Sequence, residues 1–106
     1  MPKYLFEISY TLEGAKGLLK DGGSKRLAAG KAAIESIGGK IEAFYFAFGE
    51  RDAIVIVDMP DAASAAATSI ALSASGGVTG KTTVLLTPEE IDAAVKKSPT
   101  YTPPGR

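Results

Sequence analysis

Four side chains in this 106-residue chain could move protons, and each stands in a strand-like stretch: Glu7, Tyr10, Glu42 and Tyr45. Glu7 and Glu42 are carboxylates on otherwise apolar strands, and Ser9 shares a face with Glu7. Inside a closed barrel, burial would raise a carboxyl pKa and prepare a general acid or base. At a wet edge, or against a partner chain, the same carboxylates would only form ion pairs. A second set is suited to binding. Gly22-Gly23-Ser24-Lys25-Arg26 puts glycines and an N-cap before a helix, with two cations beside free backbone N–H groups. A carboxylate or phosphate would fit there, although a solvated turn capped by Ser24 uses the same residues. Phe44, Phe46 and Phe48 alternate as a three-ring stripe, fit for core or subunit packing or for the wall of a flat apolar ligand's site. Beside a turn, Asp52 suits the capping of backbone N–H groups, and Arg51 suits pairing with Glu50 or a neighbouring subunit. Thr79-Gly80-Lys81-Thr82-Thr83 imitates a phosphate loop and fails: position 75 is serine, and the segment runs from helix to strand.

Composition removes much other chemistry. The chain has no cysteine and no histidine. Disulfides, thiolate nucleophiles, the usual zinc sites, His or Cys ligation of haem and a Ser-His-Asp triad are therefore unavailable. No cofactor or metal is expected. Twelve basic and twelve acidic residues cancel, so no global basic excess points to nucleic acid. The charges are segregated, bases dominating from Lys16 to Lys40 and acids from Glu42 to Asp92. That pattern fits solvated helix surfaces, a self-complementary oligomer contact or an anion site. No apolar run approaches the ~20 residues that span a bilayer, so no membrane partner is expected. Met1-Pro2-Lys3 leads straight into a strand, which reads as a cytoplasmic chain without a signal peptide.

The elements that must position these residues can be read in order. Lys3–Thr11 alternates, with Tyr4, Phe6, Ile8 and Tyr10 on one side and Leu5, Glu7, Ser9 and Thr11 on the other. Thr11 caps a short helix, Leu12 to Lys20, which Asp21-Gly22-Gly23 ends. Ser24 caps a second helix, Lys25 to about Ile37, whose apolar face is Leu27, Gly30, Ile34 and Ile37. Gly30 leaves room there for close approach of backbone or ligand. The longest apolar block, Lys40–Pro60, reads as a hairpin with a two-residue turn at Gly49-Glu50. That register pairs Phe46 with Ala53 and Phe44 with Val55, and sets Glu42 near Val57. Ile41, Ala43 and Tyr45 then share the opposite face with Ile54 and Ile56. Asp61 caps a helix Ala62–Ala74, and Val78–Leu86 is a fourth strand. Thr87-Pro88-Glu89-Glu90 is a capping box with proline at its first helical position, opening a last helix to Lys96. The organisation is one domain over residues 1–97, with a proline-rich tail over 98–106 that is extended along the surface or frayed.

Strand, helix, strand, strand, helix, strand is the ferredoxin-like α+β pattern, a βαββαβ chain with a four-stranded antiparallel sheet. The chain to about Val95 also resembles the GYD-domain family, small bacterial proteins of the dimeric α/β-barrel kind. The resemblance lies in Ile8-Ser9-Tyr10-Thr11 with Glu13-Gly14, in Gly22-Gly23-Ser24 and in Gly38-Gly39-Lys40. It continues through Phe44-Tyr45-Phe46-Ala47-Phe48-Gly49 and Leu85-Leu86-Thr87-Pro88-Glu89-Glu90. It implies the fold and dimerisation through the sheet, but no common reaction. Where the family's name records Gly-Tyr-Asp, this chain has Gly49-Glu50-Arg51-Asp52, so no role of that tyrosine carries over.

Both faces of the hairpin are apolar, whereas one helix layer covers one face of a sheet. A second copy is the expected cover, giving a homodimer or higher homo-oligomer. The favoured function is small-molecule binding between sheet and helices. One alternative is a cofactor-independent enzyme, an oxygenase or isomerase, by analogy of fold. Another is a self-assembling structural protein without ligand. An enzyme requires Glu7, Glu42, Tyr10 or Tyr45 to converge in one cavity, a binding protein requires a cavity without such convergence, and an assembly protein requires a filled interior.

Overall fold

Alternation in β1 (Lys3–Tyr10) divides the molecule into two sides. In the computed structural model, which describes residues 1–106, Tyr4 and Phe6 are buried beneath helices, while Lys3, Leu5, Glu7 and Ser9 point the other way. β1 lies inside a four-stranded antiparallel sheet ordered β2-β3-β1-β4, with β2 at Lys40–Phe46, β3 at Ala53–Asp58 and β4 at Val78–Leu85. Helices α1 (Leu12–Asp21), α2 (Gly23–Ser36) and α3 (Ala62–Ala74) fill the connections, and α4 (Pro88–Val95) follows β4. This is the expected ferredoxin-like α+β architecture. The core joins Tyr4, Phe6, Val55 and Val57 to Ile34 of α2, Met59 and Ala65 of α3. Alanines let α3 lie close to the sheet, and Asp61 caps it by accepting the Ser64 N–H at 2.7 Å. That hydrogen bond holds the Asp61 carboxyl below its ordinary pKa.

Three local expectations are corrected. Gly22, at φ 78°, ends α1 and begins α2 at once, so Ser24 sits inside the first turn of α2 and caps nothing. A left-handed glycine reverses the chain in one step and leaves no separate capping position. The hairpin turn is also longer than two residues. The strands end at Phe46 and Ala53, and the Ala47 N–H donates to the Asp52 carbonyl at 2.9 Å. Opening the turn by one residue on each side preserves parity, so Phe46 still pairs with Ala53 and Phe44 with Val55. Finally, a bulge between Ile41 and Ala43 makes Ile41, not Glu42, the partner of Val57. The extra residue turns Ile41 towards the helices and leaves Glu42 within reach of Lys3 on the other side.

α1 is seated by main chain. The Thr11 N–H donates to the Gly77 carbonyl at 3.0 Å and its hydroxyl to the Gly76 carbonyl at 2.7 Å. A Cβ on Gly14 would fall on the Gly77 carbonyl, so only glycine permits this approach.

α4 is locally complete and otherwise bare. The Thr87 hydroxyl accepts the Glu90 N–H at 3.1 Å and the Glu90 carboxylate accepts the Thr87 N–H at 3.0 Å, yet every residue from Pro88 to Thr100 is exposed. The radius of gyration is 16.8 Å and the longest axis 56 Å, against about 13 Å for a compact chain of this length. The C-terminal segment therefore stands off the body. A chain ending at Thr87 is expected to melt within about 2 °C of the full chain, because surface changes outside the core are worth a few tenths of a kcal/mol. A large drop in differential scanning calorimetry would show that α4 supports the body.

Candidate functional site

α2 packs over β2 and α3 over β4, which leaves a strip above the central strands between them. A cavity opens there. Its floor is Phe6, Ile8, Val55 and Phe44, and its walls are Gly30, Ala33 and Ile34 from α2 with Thr68 and Leu72 from α3. The space open to water centres is about 70 Å³, room for roughly five waters. Gly30 creates part of it, because a Cβ there would meet only the Phe44 ring at 3.6 Å and Ile41 at 3.9 Å. Phe44 is braced by Phe46, edge to face at 5.3 Å between centroids. At the end where β1 stops, Tyr10 and Arg26 join the lining, and Arg26 is the one charged residue in it. Ala33, Thr68 and Leu72 were not singled out in the sequence. The Gly30–Ala33–Ile34 spacing on α2 is the signal that marks a shallow helix face.

The opposite face of the sheet carries a different set. The Arg51 guanidinium lies 3.9 Å from the Glu7 carboxylate and donates to the Ser9 hydroxyl at 3.5 Å, at the limit of a hydrogen bond. Arg51 thus pairs with Glu7 rather than Glu50, because the longer turn folds it back over β1. Lys3 donates to Asp58 at 2.7 Å and sits 3.3 Å from Glu42. The Asp58 hydrogen bond, acting against desolvation, raises the Lys3 ammonium above its ordinary pKa. Between these charges lie Leu5, Ile54 and Ile56, half-buried, and Tyr45, which is 70% exposed.

The candidate residues therefore divide. Tyr10, Arg26 and Phe44 meet in the helix-side cavity, and Phe46 stands at its flank. Glu7, Ser9, Glu42, Tyr45 and Arg51 belong to the open face, a sheet's thickness away. Phe48 leaves the stripe at the turn and is fully exposed, and Ser24 is exposed on α2. Asp52 is spent on structure: its carboxylate accepts the Tyr10 N–H at 2.8 Å, while its own N–H donates to the Ile8 carbonyl at 2.8 Å. Asp52 ties the turn to the end of β1 and so fixes the Tyr10 backbone at the rim of the cavity.

The family described as GYD domain matches residues 4–95. The chain belongs to the GYD-domain family. Searches of curated proteins and of solved structures returned no match. The match takes in all four strands and all four helices of this GYD-domain chain, hence both the cavity and the open face. No helix is long and apolar enough to cross a membrane.

Chemically, the cavity offers an apolar floor of aromatic and aliphatic side chains, with Arg26 and Tyr10 in its lining. Carboxylates are absent from its lining. Gly30→Ala is expected to raise stability by about 0.5–1 kcal/mol, since alanine removes a mid-helix glycine without a clash. Urea unfolding measures this, and a loss of stability would contradict the space described above Gly30.

Proposed function

We propose that the protein binds a small molecule in the cavity between the sheet and α2/α3, and that it works as a homo-oligomer joined through the open face. One observation carries the first part. The cavity is apolar and no carboxylate belongs to its lining: Glu7 and Glu42 project to the other side, and Asp52, the carboxylate beside Tyr10, is held by the Tyr10 N–H. General acid–base work needs groups within hydrogen-bond reach of one substrate, so the division favours binding over turnover. A filled interior would have favoured assembly alone. Instead, space remains where the helices part, with Phe46 bracing the Phe44 of its floor.

The second part rests on the open face. Leu5, Ile54 and Ile56 form a half-buried apolar strip with no helix above it. Acidic and basic groups alternate around it, with Lys3 between Asp58 and Glu42, Arg51 beside Glu7, and Lys81 opposite Glu7 on β4. A two-fold interface must match a patch to itself, and a neutral patch of mixed signs around an apolar centre meets that requirement.

Sedimentation velocity at micromolar concentration is expected to show a dimer or larger species, and Ile54→Lys to shift it to monomer with the fold intact by circular dichroism. A monomeric natural chain would overturn the oligomer.

A further inference from the structure

We propose that the cavity takes a small apolar monocarboxylate, its head on the Arg26 guanidinium and its body against the Phe44 ring. The inference rests on reading this cavity as the binding site. Arg26 is the one charge in a lining of 14 residues, 11 of them hydrophobic. It takes part in none of the protein's four salt bridges. The nearby acids are otherwise engaged: Asp21 lies 3.8 Å from Lys25, and Asp52 accepts the Tyr10 N–H at 2.8 Å.

Arg26 is half-buried beside apolar walls and forms no ion pair, so its guanidinium is free to make a charge-assisted pair with an arriving anion. Its planar fork matches a carboxylate with two parallel hydrogen bonds, and Tyr10 lines the same space. The single positive charge of Arg26 balances a monocarboxylate and would leave half of a phosphate dianion's charge uncompensated beside apolar walls. The apolar space, roughly five waters in volume, suits a body of about one ring. Gly30 leaves the face of Phe44 clear for it.

Sodium phenylacetate and the neutral isostere phenylacetamide, titrated calorimetrically into the full-length protein, separate the possibilities. The acid is expected to bind at least about tenfold more tightly than the amide, the difference made by a charge-assisted pair. Arg26→Gln should abolish that preference while leaving the amide's affinity within about twofold, and Gly30→Leu should remove binding of both by filling the space over Phe44. Circular dichroism confirms that both variants fold. Equal affinity for acid and amide, or a preference that survives Arg26→Gln, overturns the carboxylate assignment and leaves the cavity as a site for neutral apolar molecules. Failure of both probes to bind the natural chain, or binding unaffected by Gly30→Leu, overturns the cavity reading itself.

Discussion

A single layer of helices sets the terms for this protein. β3 presents Ala53, Val55 and Val57 to the helices and Ile54, Ile56 and Asp58 to the other side, so a strand with two apolar faces is covered on one. Burying the helix-side face accounts for the core of Tyr4, Phe6, Val57 and Met59. It also separates the functional groups, because period-two alternation sends neighbours in sequence to opposite sides of the sheet. Ser9 and Tyr10 are adjacent in the chain and belong to different sites.

Within the covered face, the cavity follows from how the helices are seated. α3 approaches through alanines, with Ala65 buried, and α1 through Gly14 against the Gly77 carbonyl. α2 brings Ile34 into the core but presents Gly30 one turn earlier and Ala33 just before it, where larger side chains would have filled the gap. Small residues therefore do two jobs: they allow close approach where backbones meet, and they leave space where the helices diverge. Arg26 lies one turn before Gly30 on α2, which places a cation at the edge of that space.

Much of this was legible in the sequence. The alternation of β1 and the capping residues Asp61 and Thr87 follow from local rules that the fold does not override. The Phe44–Val55 register survives a longer turn than expected because the turn opens by one residue on each side. What could not be read depends on single-residue offsets. Nothing local marks the bulge that sends Ile41 and Glu42 to opposite faces, or shows that Gly22, in one left-handed step, ends α1 and begins α2 without a separate cap. Of the site, the phenylalanines and Arg26 were visible as types. That Arg26 joins Phe44 while Arg51 joins Glu7 is a consequence of tertiary folding. α4 was legible entirely, since its capping box is local, but its isolation from the body was not.

With ligand binding proposed on the helix side and self-association on the open face, side-chain methyl groups report each side separately. Ile8, Ile34, Ile41 and Leu72 border the cavity, whereas Leu5, Ile54 and Ile56 lie on the open face. The most direct measurement is the methyl NMR spectrum of the full-length protein as phenylacetate is added. Binding in the cavity shifts the first group and leaves the second unchanged. Shifts confined to Leu5, Ile54 and Ile56 would contradict it.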